Sequence, residues 1–161
     1  MPELRLDISS REWVIIAPER AGRPEDYIRS GRLLTHQRPP HRKDCPFCPG
    51  QEENTLGETL CLSDAQGNWR VRAFPNRYPA LLPIQRLPGR KGGLYQRRMQ
   101  GFGRHEVICE SNLHNVSLAL LSPPEVADVL RAWRQRYRAQ VRQAGVEHVV
   151  IFKNHGPSAG T

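Results

Sequence analysis

The chain has 161 residues, 24 Lys and Arg against 16 Asp and Glu, a formal net charge of +8 and 38% hydrophobic residues. That length suits one domain, spanning residues 1–161, that buries roughly two thirds of its unfolded surface, and no run of about 18 apolar residues is present to cross a membrane. The start, Met1-Pro2-Glu3-Leu4-Arg5, is not an apolar leader, so the expected compartment is the cytoplasm.

The basic balance fits three kinds of partner, namely nucleic acid, phosphorylated metabolites or an acidic protein segment, and charge does not choose among them. Cys45, Cys48, Cys61 and Cys109 are too few and too unevenly placed for a secreted disulfide scaffold. In a reducing compartment a close pair of thiols favours a metal over a disulfide.

In chain order, Trp13-Val14-Ile15-Ile16 is a β-branched and aromatic run stopped by Pro18, which predicts a strand. Arg29 to Asp44 is rich in Arg, His and Pro without periodicity and predicts an extended loop leading into Cys45-Pro46-Phe47-Cys48-Pro49-Gly50. Trp69, Val71 and Ala73 alternate with Arg70 and Arg72 up to Pro75, the pattern of a half-buried strand. Arg86 to Arg104 scatters Arg and Lys among glycines and predicts a mobile loop. His105-Glu106-Val107-Ile108-Cys109-Glu110 predicts a third strand.

A helix is expected to start at Ser122-Pro123-Pro124-Glu125, where Ser122 can cap, proline suits the first turn and Glu125 can reach back to the cap. Val126, Val129, Leu130, Trp133, Tyr137 and Val141 recur on one face, opposite a solvated face carrying Arg131, Arg134, Arg138 and Arg142. Val146 to Phe152, entered through Gly145, predicts a fourth strand. Short strands plus one helix make an α+β domain with a curved antiparallel sheet.

Zinc takes four thiolate or imidazole ligands in a tetrahedron, and two cysteines spaced by two residues in a tight turn supply one edge of it. Cys61 and Cys109 are candidates for the other edge, but Cys109 lies mid-strand and reads better as a buried structural thiol. His114, in the loop Ser111-Asn112-Leu113-His114, can turn towards the cysteines without giving up a place in the sheet. A redox role is disfavoured, because a thioredoxin-type pair opens a helix and Pro49-Gly50 forbids that continuation.

Taken together, Cys45 to Gly50, then Phe74-Pro75-Asn76-Arg77-Tyr78-Pro79-Ala80-Leu81, then Gly103-Arg104-His105-Glu106-Val107 with Ser111 and His114, and finally Phe152-Lys153-Asn154-His155-Gly156 through Gly160, resemble galactose-1-phosphate uridylyltransferases in order and in gaps. The resemblance covers essentially the whole chain. It implies a histidine-triad-like α+β fold, with an antiparallel sheet, one main packed helix and long loops. It also implies that the chain is the N-terminal half of a longer, homodimeric enzyme.

Members of that family move a uridylyl group from UDP-glucose to galactose 1-phosphate through a uridylyl-histidine. By resemblance Cys45, Cys48 and His114 fall on zinc-ligand positions. Phe47, Phe74, Asn76 and Arg77 fall where the uridine is held, and Asn154 and Gly160 where the phosphates are held. Arg20 and Arg23 fall on a phosphate-contacting segment able to serve a neighbouring subunit. The family's His-Pro-His motif followed by Gln would come after Thr161 and is not in this sequence. His155 precedes the glycine loop and does not occupy the nucleophile position. No catalytic residue is therefore assigned, and a chain truncated here is expected to be inactive alone.

Two other readings stand beside this one. An adenine-nucleotide-sugar adenylyltransferase or phosphorylase shares the pattern at Gly101-Phe102-Gly103 and His105-Glu106-Val107. A zinc-braced nucleic-acid-binding module would use the excess of Lys and Arg, but a finger or ribbon wants a second close ligand pair that the sequence does not offer.

Overall fold

A computed structural model describes residues 1–22, 38–83, 89, 91–93 and 95–154. The chain forms two three-stranded antiparallel sheets and one long helix. In the first sheet β1 (Glu3–Leu6) lies between β2 (Trp13–Ile16) and a later strand, β5 (Arg98–Gln100), with Leu4 opposite both Ile15 and Met99. The turn joining β1 to β2 is closed by Asp7, whose Oδ1 accepts the Ser9 N–H at 2.8 Å and the Ser9 hydroxyl at 2.6 Å. Those bonds hold the Asp7 carboxyl below its usual range.

The second sheet has the order β3 (Leu60–Ser63), β4 (Trp69–Pro75), β6 (Glu106–Cys109). The β3–β4 hairpin turns at Asp64, which accepts the Asn68 N–H at 2.8 Å, with Gly67 in the left-handed region at φ +86°. Helix α1 (Pro123–Val141) packs on β4 and β3. The core joins Val71, Val129 and Ala132, flanked by Leu60, Leu62, Ile108, Leu118, Leu121 and Trp133.

The central strand is not half-buried. Trp69 and residues Val71 to Phe74 are all buried, and Arg72 is fully enclosed. Its guanidinium lies 5.2 Å from the Trp69 ring and 5.3 Å from the Phe74 ring, pairs with Glu58, and donates to Thr55 Oγ1 at 2.9 Å. The alternating arginine therefore marks a face covered by residues 52–58, where a carboxylate and two aromatic faces offset the loss of water.

The helix buries a stripe rotated from the expected one. Asp128, Val129 and Ala132 are inside, whereas Leu130, Tyr137 and Val141 are 53%, 44% and 46% exposed. Asp128 is drawn in by ion pairs with Arg70 and Arg131, and Arg136 by Glu106. The capping expected at Ser122 is present. Glu125 Oε2 accepts the Ser122 N–H at 2.8 Å and its hydroxyl at 2.6 Å.

Two further expectations change. Val146 to Phe152 runs without ladder pairing among the described residues, and Val150 and Phe152 are 63% and 67% exposed. The Arg86–Arg104 stretch is not wholly loop, since Arg98–Gln100 is the strand β5 and Lys91 and Arg98 exchange backbone bonds of 2.7 and 2.8 Å. Pairing with β1 supplies what the local sequence does not signal. Arg86, Arg90 and residues 29–37 lie outside the described residues. No described helix is long and apolar enough to cross a membrane.

Candidate functional site

The cysteine turn is built by short-range backbone bonds. Cys48 N–H donates to the Cys45 carbonyl at 3.2 Å, Gln51 N–H to the Cys48 carbonyl at 3.2 Å, and Gly50 takes φ +80° as the chain leaves. The Arg42 N–H points at Cys48 Sγ, 3.4 Å away. The loop after β6 is tied to the same region by His114 N–H, which donates to the Pro40 carbonyl at 2.8 Å.

These ties bring Cys48 Sγ within 3.5 Å of His114 Nδ1, and the donor atoms of Cys45, Cys48 and His114 all lie within 4.8 Å of one another. Bonds of about 2.3 Å to sulfur and about 2.0 Å to nitrogen place tetrahedral ligand atoms roughly 3.3–3.8 Å apart. The three residues therefore fit one ion after a small contraction. Burial, aided by Arg42 and Arg38, pushes His114 below the usual imidazole value and keeps its ring neutral, the state that ligates. Burial pushes the Cys45 thiol up, so a thiolate there needs a cation beside it.

The other two cysteines stand apart from this cluster. Cys61 is exposed on β3 with its sulfur 3.7 Å from Ser63 Oγ. Cys109 pairs across the sheet with Arg72, and burial pushes its thiol up to about 12. It stays protonated, as expected for a structural thiol.

Phe47, inside the cysteine turn, stacks on Phe74 with ring centroids 5.9 Å apart and planes inclined by 21°. Phe74 ends the buried part of β4, and the chain then turns through residues 76–80. That turn is held from several sides. Asn76 N–H donates to the His105 carbonyl at 2.8 Å, Tyr78 N–H to Asn76 Oδ1 at 2.8 Å, and Ala80 N–H to His105 Nδ1 at 3.0 Å. Arg77 Nη2 donates to the Asn54 carbonyl at 3.0 Å, and Arg20 Nη1 donates to the Tyr78 carbonyl.

Five of the residues singled out in the sequence, Arg20, Phe47, Phe74, Asn76 and Arg77, thus share one corner with the cysteine turn. Asn154 is not drawn in by any of these bonds; it is exposed beside Lys153, which pairs with Glu110. Arg23 and Gly160 lie outside the described residues. Sequence reading placed His105 in the third strand and in a family motif but gave it no role at the corner; the strand starts one residue later, at Glu106, which lets His105 face the turn. Two cavities of about 210 and 330 Å³ border Leu118 and Lys153, and none of these corner residues lines them.

The sequence model described as "Galactose-1-phosphate uridyl transferase, N-terminal domain" matches residues 1–161. The chain belongs to the galactose-1-phosphate uridylyltransferase family. The ADP-glucose phosphorylase of Arabidopsis thaliana is 36% identical over 163 residues, covering 99% of this chain and 45% of that relative. The galactose-1-phosphate uridylyltransferase of Haemophilus influenzae is 27% identical over 162 residues, covering 99% of this chain and 43% of the relative. That of Rattus norvegicus is 30% identical over 151 residues, covering 92% and 37%. Family membership and the α+β, histidine-triad-like fold agree with the sequence reading.

The crystal structure of an ADP-glucose phosphorylase from Arabidopsis thaliana with bound ADP-glucose superposes with TM-score 0.60 at 31% identity, over 100% of this chain and 45% of that one. A uridylyltransferase structure at 23% identity, with TM-score 0.53 over 85% of this chain and 34% of its own, shares the fold. The chain spans about half the length of the curated relatives it matches.

Proposed function

We propose that this chain is the metal-braced, nucleotide-sugar-binding half of a nucleotidyltransferase-type enzyme, with ADP-glucose as its preferred nucleotide sugar. The observation that carries the reading is the convergence of Arg20, Phe47, Phe74, Asn76 and Arg77 at the corner next to the Cys45, Cys48 and His114 cluster. Phe47 belongs to the cysteine turn and stacks on Phe74, so whatever fixes the turn also fixes one wall of the corner.

Zinc suits the two thiols and the imidazole, and bound there it would supply a structural brace. The remaining work falls to side chains. Phe47, 44% exposed, offers a face to a base, and stacking of that kind is worth about 1–3 kcal/mol. Phe74, Asn76 and Arg77, on and beside the same turn, are proposed at the nucleoside on family likeness. Arg20 spends one donor on Tyr78, and a guanidinium carries further donors for phosphoryl oxygens. Arg23, Asn154 and Gly160 are proposed at the phosphates on family likeness alone.

The whole protein's proposed chemistry is a double displacement. An imidazole nitrogen attacks the α-phosphorus, the bond to the sugar phosphate breaks, and the sugar 1-phosphate leaves with its electron pair. An acceptor phosphate then attacks the nucleotidyl-imidazole and frees the histidine. We assign no nucleophile in this chain, because the His-Pro-His motif that supplies it in the family is not in this sequence, and we propose that the chain alone is inactive. Homodimer formation and a cytoplasmic setting are proposed on the same likeness.

Preference for adenine rests on the relatives, 36% identity to an ADP-glucose phosphorylase against 27% and 30% to the two uridylyltransferases above. This moves the balance from the uridine reading favoured by motifs. The family match keeps uridylyl transfer from UDP-glucose to galactose 1-phosphate as the second reading. Calorimetric titration of the zinc-loaded chain tests both, with ADP-glucose expected to bind about tenfold or more tighter than UDP-glucose. Tighter UDP-glucose binding would select the second reading. Binding of neither, or a preference for duplex DNA with a steep salt dependence, would overturn the proposal.

A further inference from the structure

His105 sits just before β6 and meets both ends of the 76–80 turn. Its carbonyl accepts the Asn76 N–H at 2.8 Å, its Nδ1 accepts the Ala80 N–H at 3.0 Å, and its Nε2 stands 3.3 Å from the Asn76 side-chain amide. These contacts bracket the turn at both ends. Between them Asn76 Oδ1 accepts the Tyr78 N–H, which fixes the Asn76 side chain relative to the backbone that His105 holds.

A backbone N–H only donates, so Nδ1 must carry a lone pair and no proton. A neutral imidazole then holds its proton on Nε2, on the Asn76 side. That proton faces the Asn76 side-chain NH2, a second donor, so the 3.3 Å approach of Nε2 to Asn76 is a packing contact and not a hydrogen bond; the other tautomer would instead set a ring N–H against the Ala80 N–H. The histidine is therefore used as an acceptor of fixed direction, and an apolar ring of similar size would leave the Ala80 N–H without that acceptor.

We infer that His105 is a positioning residue, whose ring holds the Ala80 amide and whose carbonyl holds the Asn76 amide, and which so presents Asn76 and Arg77 to the nucleotide. The inference rests on the nucleotide reading of the corner for its functional half. It does not require His105 to touch the ligand.

The test compares the wild-type chain with His105→Asn, whose side-chain oxygen falls near the position of Nδ1, and with His105→Phe, which removes the acceptor and keeps a ring. Two readouts are needed, amide hydrogen exchange at Tyr78 and Ala80 and affinity for ADP or UDP. In His105→Phe, exchange at both amides is expected to speed by about fivefold to tenfold, and the tighter-binding nucleotide to weaken by a similar factor. Protection across Val71 to Phe74 should not change. His105→Asn should restore most of both effects.

Unchanged protection at Ala80 in His105→Phe would overturn the inference. So would loss of protection along β4 as well, which would mean general destabilisation, or a loosened turn with unaltered affinity. Failure of the wild-type chain to bind ADP or UDP would overturn the nucleotide site, and exchange would still decide whether His105 holds the turn.

Discussion

Arg136 on α1 grips both carboxylate oxygens of Glu106 on β6, at 2.9 and 2.8 Å, and its third donor reaches the Thr59 carbonyl at 3.0 Å beside β3. One side chain thus ties the helix to the second sheet, and Glu106 is the neighbour of His105. Both partners are largely buried, with side chains 17% and 11% exposed. Removing one member of such a pair strands the other charge. Arg136→Ala is expected to cost about 3 kcal/mol, read from denaturant midpoints, and Arg136→Met with Glu106→Leu together should cost much less.

The start of α1 gives a pH-dependent prediction. Hydrogen bonds from the Ser122 hydroxyl and N–H lower the Glu125 carboxyl below its ordinary 4.5. A depressed carboxyl stabilises the fold fully above the unfolded value and loses that stabilisation as pH falls through the folded value. Ser122→Ala should cost about 1 kcal/mol near neutrality. The gap between variant and wild type should shrink as pH drops below 4.5, measured by thermal unfolding across pH.

The four cysteines should differ in reactivity. Cys61 is exposed and is expected to react first with a thiol reagent, while Cys45 and Cys48 are shielded when zinc is held. Chelation should release that pair. Cys109, pushed up to about 12, should remain slow until the chain unfolds. Mass mapping of the labelled sites, with and without chelator, gives the order; Cys48→Ser should abolish both the zinc and the chelator effect.

Phe47 separates binding from stability. It is 44% exposed, so Phe47→Ala removes little buried surface, yet it removes the outer ring of the stack on Phe74. Nucleotide affinity should fall about tenfold, with unfolding changed by only about 1 kcal/mol. Phe74→Ala lies in the core beneath Arg72 and should instead cost about 3–5 kcal/mol.

Motifs whose parts are close in sequence were legible. The cysteine pair, the Ser122 cap and the strands at Trp13, Trp69 and Glu106 all follow from local spacing. What the sequence hid depends on partners far along the chain. Arg72 looked solvated because alternation says nothing of Glu58 and Thr55 folding over it. Leu130 and Tyr137 looked buried because the stripe is set by Asp128 and Arg136 finding charged partners, which hydrophobic periodicity ignores. Val146 to Phe152 has strand composition, but a strand also needs an edge to pair with, and among the described residues it has none.

The most direct test of the account is to map amide chemical shifts while ADP-glucose is added to the zinc-loaded chain. The largest changes are expected at Phe47, Phe74 and residues 76–80, with Arg20 close behind. Changes confined to the basic face of α1, at Arg134, Arg138 and Arg142, or no saturable change at the corner, would contradict it.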